Sequence, residues 1–62
     1  MKVIVKVLKN GVPGTIEDVV YYAIGVVLWE DDWVRLIPMD SRVQQISYRK
    51  DLVFAVIEER EE

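Results

Sequence analysis

The sequence predicts a small all-β domain. Apolar and polar residues alternate over residues 2–8 with the two-residue period of a strand. Two apolar stretches enclose the acidic run 30–32, as the strands of a hairpin enclose its loop. The closing stretch 53–59 is rich in β-branched and aromatic residues, which favour strands. A chain of 62 residues has room for one domain, so we assign residues 1–62 to a single unit.

The first predicted strand is KVIVKVL, residues 2–8. Alternation gives it one fully apolar face and one mixed face. The apolar face carries Val3, Val5 and Val7, and the mixed face carries Lys2, Ile4, Lys6 and Leu8. The turn-forming pairs Asn10-Gly11 and Pro13-Gly14 follow, so the strand is expected to end near Lys9 and a loop to begin there.

The segment TIEDVVYY, residues 15–22, has an ambiguous pattern. Thr15 followed three residues later by Asp18 is typical of a helix N-cap with an acidic first turn. The four residues from Val19 to Tyr22 instead favour a pleated sheet. We favour a loop with at most one helical turn that passes into a strand near Tyr21.

The segment LWEDDWVRL, residues 28–36, predicts a hairpin. A three-residue loop pairs side chains of like character across it, whereas a two-residue loop, Asp31-Asp32, mixes them. The predicted loop is Glu30, Asp31 and Asp32, with the pairs Trp29–Trp33, Leu28–Val34, Val27–Arg35 and Val26–Leu36. The aliphatic face is then Val26, Leu28, Val34 and Leu36, and the aromatic face is Val27, Trp29, Trp33, Arg35 and Ile37. This loop requires a left-handed residue, for which Asp32 is the best candidate.

The remaining elements follow from breakers and alternation. Pro38 ends the second hairpin strand, and residues 39–42 are turn-like. A strand is expected over 43–49, a tight or 3₁₀ turn over 50–52, and a last strand over 53–59. The fourth strand sets Ile46 and Tyr48 opposite Gln45, Ser47 and Arg49, and the last sets Val53, Ala55 and Ile57 opposite Phe54, Val56 and Glu58.

This order of elements resembles that of a five-stranded SH3-like barrel. The segment ISYRKDLVFAVIE, residues 46–58, resembles the way such barrels close, with one tight turn before a last strand that pairs with the first. The acids before Trp33 are similar to the acidic loop of peptide-binding SH3 domains, but Tyr21-Tyr22 is not their Ala-Leu-Tyr-Asp-Tyr signature. The resemblance therefore implies architecture and no ligand residues. The alternative is a β-α-β-β-β open sheet with a short helix at 15–22.

Composition argues against catalysis. The chain has no His and no Cys, so the usual general base, the thiol nucleophile and a Cys/His zinc site are all missing. The acidic run 30–32 lacks the spacing and glycine of an EF-hand, and the three glycines do not form a phosphate loop. We expect no enzyme activity, no cofactor and no metal. Without an apolar run of roughly 18 residues, we expect a soluble, cytoplasmic protein.

The candidate protein-binding residues lie in the hairpin, and they are Trp29, Trp33, Arg35, Val27, Glu30, Asp31 and Asp32. In one interpretation the rings only cover the end of the domain. In another they form a patch for a partner protein, because interface centres favour Trp and Arg. In the third they stack on single-stranded nucleic acid, with phosphate contacts from Arg35, Arg42, Arg49 and Lys50, although the acidic loop opposes this. Our leading prediction is the partner protein.

Self-association is a separate expectation. The second faces of the first and last strands carry apolar side chains, and a barrel this small has only one interior to fill. These side chains are Ile4, Leu8, Phe54 and Val56. We therefore predict a homodimer.

Overall fold

This computed structural model describes residues 1–9 and 14–60, and its fold is built from six β-strands, with a 3₁₀ turn before the last of them. The strands are β1 (Lys2–Leu8), β2 (Ile16–Tyr21), β3 (Ile24–Trp29), β4 (Trp33–Pro38), β5 (Ile46–Arg49) and β6 (Val53–Glu59). The 3₁₀ turn, Lys50–Leu52, joins β5 to β6 as predicted. The described residues contain no α-helix, and the all-β class is confirmed. The predicted loop residues Asn10, Gly11 and Pro13 lie outside the described residues.

The strands form two antiparallel sheets of three. The first sheet has the order β2-β1-β6, and the second has the order β3-β4-β5. The last strand therefore pairs with the first, as predicted. Strand β5 is shorter than the predicted 43–49, because Val43 donates its backbone N–H to Asp40 in a turn.

Residues 16–21 form a full strand, so the predicted loop over 15–22 and the alternative helix are both wrong. Strand β2 pairs with β1 along its whole length, from Leu8–Ile16 to Val3–Tyr21. Asp18, which suggested an acidic first turn of a helix, instead accepts hydrogen bonds of 3.0 Å at both carboxylate oxygens from Lys6 Nζ. The cross-strand partners override a local capping signal, because the β-branched residues of this segment pack well on a pleated sheet.

The chain passes from the first sheet to the second at Tyr22 and Ala23. Ala23 has a φ of 57°, in the left-handed region that is costly for a residue with a Cβ. Directly after it, Ile24 donates its N–H to the Met1 carbonyl at 3.0 Å, and the Met1 amino group donates to the Ile24 carbonyl at 2.7 Å. This corner therefore locks the start of β3 to the start of the chain.

The core lies between the two sheets. Its buried side chains are Val3, Val5, Ile24, Val34 and Leu36. The first strand thus buries the predicted apolar face, with Val7 packed against the core. Tyr21 of the first sheet and Tyr48 of the second both pack against this core and share a hydrogen bond between their hydroxyls. Their ring centroids are 6.3 Å apart in an edge-on arrangement, so the two sheets are also tied by a polar contact.

The last strand does not keep the predicted alternation. The pairing with β1 shifts between Lys6–Ala55 and Val7–Val53, which leaves Phe54 as an extra residue. Val53 and Val56 both pack against the core as a result, whereas Ile57 is exposed. The predicted common face of Val53, Ala55 and Ile57 is therefore wrong, and Val56 is not part of an outer apolar face.

Candidate functional site

The β3–β4 hairpin differs by one residue from the predicted register. Trp29 pairs with Val34 and Leu28 pairs with Arg35, while the loop is the two-residue Asp31-Asp32. The N–H of Glu30 donates to the Trp33 carbonyl at 2.8 Å and closes this loop. The predicted three-residue loop and the Trp29–Trp33 pair are wrong. So is the left-handed assignment of Asp32, because Ala23 is the one non-glycine residue with positive φ in the described part of the chain.

The corner between the sheets explains the register. Ile24 is buried and held by Met1, so the chain must enter β3 with that side chain facing inward. The pairing with β4 then shifts between Ile24 and Val26, which brings Val27 opposite the buried Leu36. Pairing residues of like character across the hairpin does not reveal this constraint, because Met1, which holds Ile24, is 23 residues away in sequence.

The two tryptophans consequently lie on opposite faces of the second sheet. Trp29 shares the inward face with its partner Val34, at the end of the sheet, and keeps 56% of its surface exposed. Trp33 lies on the outward face with Arg35 and is 43% exposed. The predicted aliphatic face is divided in the same way, since Leu28 is exposed with Arg35 on the outward face.

Val27 leaves the candidate site. It is half-buried and packs against the core beside its pairing partner, Leu36. A side chain packed in this position contributes to the core and offers a partner less surface than the exposed residues of the hairpin tip do. The other six candidate residues lie at or next to the hairpin tip, which is residues 29–33 together with Arg35.

The 3₁₀ turn contributes residues to both flanks of the tip, the flank of Trp29 and the flank of Trp33. The backbone N–H of Lys50 donates to the Asp32 carbonyl at 2.9 Å, which docks the turn against the loop. The ammonium of Lys50 lies 5.9 Å from the centre of the Trp29 ring, within the range of a cation–π contact. Arg35 lies on the opposite face of the sheet from Trp29, where it forms a 3.3 Å ion pair with Glu30.

The other flank is a shallow depression around Trp33. Arg49 is the cross-strand partner of Trp33 and forms a 3.4 Å ion pair with Asp51. The depression is lined by Asp31, Asp32, Trp33, Arg49, Lys50 and Asp51. The sequence pattern did not identify Asp51 as a candidate residue, because Asp51 reaches this depression only through the docking of the 3₁₀ turn against the loop.

The charges at the tip are unevenly paired. Arg35 and Arg49 have acidic partners, and Lys50 lies over Trp29. Asp31 and Asp32 take part in no ion pair with any residue of the ranges 1–9 and 14–60. The depression around Trp33 therefore holds three carboxylates and two cations, and two of its carboxylates, Asp31 and Asp32, are outside the ion pairs described above.

Comparisons of the chain with protein-family models, with curated proteins and with solved structures find no match. Within the described ranges, no group of three acidic side chains is placed to hold a metal ion. The same ranges contain no helix of the length and apolarity that a membrane span requires.

Proposed function

We propose that this chain is a small non-enzymatic interaction module that binds a partner protein through the two flanks of its hairpin tip. The observation that carries the proposal is the exposure of two tryptophans, 56% for Trp29 and 43% for Trp33, on a tip of few residues. Indole rings that a partner covers are among the side chains that contribute most to protein interfaces. A domain of this size gains little from leaving them in water.

The charges indicate the chemistry of the partner. A basic side chain of the partner placed beside Trp33 would stack on the indole and meet Asp31 and Asp32. In the depression around Trp33, three carboxylates, those of Asp31, Asp32 and Asp51, outnumber the two cations of Arg49 and Lys50. The proposed partner surface is therefore apolar at its centre, with at least one Lys or Arg at its edge.

The architecture that we propose is the SH3-like barrel. Two contacts between the sheets support their closure around one interior. The Met1–Ile24 bonds join the residue before β1 to the start of β3, and the Tyr21–Tyr48 contact links β2 to β5. An experimental structure in which the two sheets were separated at the Met1–Ile24 and Tyr21–Tyr48 contacts would reject the barrel. The absence of Cys fits work in the reducing cytoplasm, which is the compartment that we propose.

Nucleic acid is the competing ligand, and one observation favours it. Each ring has a basic neighbour, Lys50 over Trp29 and Arg49 across from Trp33, as in surfaces that stack bases and hold phosphates. The carboxylates of Asp31, Asp32 and Asp51 outnumber these two cations around Trp33 and repel phosphate there. Protein binding therefore ranks first.

The test is affinity capture from a lysate of the source cells with four baits: the wild type, Trp29→Ala, Trp33→Ala and the control Tyr22→Ala. Tyr22 is an exposed aromatic residue outside the hairpin. We expect one or more proteins to bind the wild type and the control and to be lost from both tryptophan variants. Capture should survive nuclease and change little between about 50 and 200 mM salt, where phosphate-driven binding weakens steeply. Recovery of nucleic acid alone, or equal capture by all four baits, would contradict the proposal.

A further inference from the structure

The outer face of the first sheet carries a row of three β-branched side chains. Val3 and Val5 are buried, so the alternate residues of β1 face outward. Ile4 pairs with Val20 of β2 on one side and with Ile57 of β6 on the other. Val20 is 40% exposed and Ile57 38% exposed, and the half-buried Ile4 lies between them. A second apolar pair, Leu8 and Ile16, lies further along the same face.

One ion pair lies on each side of this row, two residues before and two residues after Ile4 along β1. Lys2 and Glu59 are 3.4 Å apart on one side, and Lys6 and Asp18 are 3.0 Å apart on the other. Both lysines belong to the central strand, whereas the two acids belong to opposite edge strands, β6 and β2. A half-turn of the face about Ile4 therefore exchanges the two ion pairs.

This arrangement of charges is complementary to a second copy of itself. Neighbouring strands are about 4.8 Å apart, and alternate residues along a strand about 6.8 Å apart. Seen from Ile4, the directions to Lys2 and to Glu59 therefore differ by roughly 35°. Two copies can pack face to face about a twofold axis in the contact plane, and if their central strands then cross at this angle, each lysine lies over an acid of the other copy. Each Lys2 then lies over Glu59 of the second copy, and each Lys6 over Asp18 of the second copy. Face-to-face sheets in proteins keep their strands within about 30° of each other, close to this crossing.

The exposed area of the chain agrees with a small interface. A folded monomer of 7.3 kDa exposes about 4,200 Å² on average, whereas this chain exposes 4701 Å². If the excess of about 500 Å² is covered in each of two copies, about 1,000 Å² is buried, which is near the lower limit for a specific interface. The exposed Ile57 and Val20 supply apolar area for its centre.

We infer that a second copy of this chain packs on the outer face of the first sheet, centred on Ile4 and framed by reciprocal contacts of Lys2 with Glu59 and of Lys6 with Asp18. The interface is on the opposite sheet from the hairpin tip, so both copies keep their tips free. The dimer is small, and its population rises with concentration by mass action.

Sedimentation velocity between about 1 and 300 µM protein tests the dimer by mass action. The wild type should shift from monomer to dimer over this range. Ile57→Lys puts a charge in the centre of the face and should remain monomeric throughout. The control, Val43→Lys, adds the same charge at an exposed position outside both sheets and should dimerise as the wild type does. A monomeric wild type, or an Ile57→Lys variant that dimerises normally, would overturn the inference.

Charge reversal in trans tests the twofold geometry and does not depend on Ile57→Lys folding well. Lys6→Glu and Asp18→Lys each set like charges against each other at two places in the dimer, so each should weaken self-association at least about tenfold. In an equimolar mixture, the new glutamate of one variant faces the new lysine of the other, and Asp18 of the first faces Lys6 of the second. The mixture should therefore dimerise about as well as the wild type. A mixture no stronger than the two single variants would overturn the geometry.

Discussion

Replacing one leucine on each face of the hairpin tests its register. Leu36 is fully buried, whereas Leu28 is 38% exposed and pairs with Arg35 on the outward face. Leu36→Ala removes a buried isopropyl group and leaves a cavity in the core, so it should lower the free energy of unfolding by about 2–5 kcal/mol. A domain of this length has a total free energy of unfolding of only about 3–9 kcal/mol. This variant should therefore be largely unfolded at urea concentrations well below the midpoint of wild-type unfolding.

Leu28→Ala is the matched control, because it deletes the same atoms from a position that solvent already reaches. It should cost about 1 kcal/mol or less. Urea denaturation followed by tryptophan fluorescence gives both values on one scale. Under the three-residue loop that the sequence favours, both leucines face inward and both variants lose several kcal/mol. Equal destabilisation of the two variants would therefore refute the observed register.

Two further variants probe the polar contact between the sheets and the corner. Burial, the hydrogen bond with Tyr21 and the nearby Glu17 raise the pKa of Tyr48 above its usual 10.0. The protonated Tyr48 hydroxyl therefore stabilises the fold fully below about pH 10, and this stabilisation is lost as the pH rises through the pKa of the folded state. Denaturation curves from neutral to alkaline pH should show the loss in the wild type but not in Tyr48→Phe. Ala23→Gly relieves the left-handed backbone at the corner and should raise the free energy of unfolding by about 0.5–1 kcal/mol, measured by thermal melts, whereas no gain would mean that Ala23 is unstrained.

Sequence patterns predicted correctly those strands and turns whose formation depends on their own residues and not on distant contacts. The alternation of residues 2–8 gave the strand β1 and its buried face, and the inward residues Ile46 and Tyr48 pair with the buried Leu36 and Val34 as the pattern indicates. The acidic run marked the hairpin turn, and residues 50–52 marked the 3₁₀ turn.

Contacts between distant residues decided the rest. The register of β3 depends on the anchoring of Ile24 by Met1, and the faces of β6 depend on an extra residue at Phe54. Both shift side chains by one position, which in a strand moves them to the other face. The prediction of the candidate site failed for the same reason. Val27 packs against the core, and the docked 3₁₀ turn brings Asp51 to the hairpin tip.

We propose that a partner protein covers the exposed rings of Trp29 and Trp33. The dissociation constant of the captured partner protein, measured for the wild type and for Trp33→Ala at a temperature where circular dichroism shows both folded, tests this proposal. If the indole is an energetic centre of the interface worth about 2 kcal/mol or more, the variant should bind at least about 30-fold more weakly. A folded Trp33→Ala with wild-type affinity would contradict the claim and leave the ring a structural part of the hairpin.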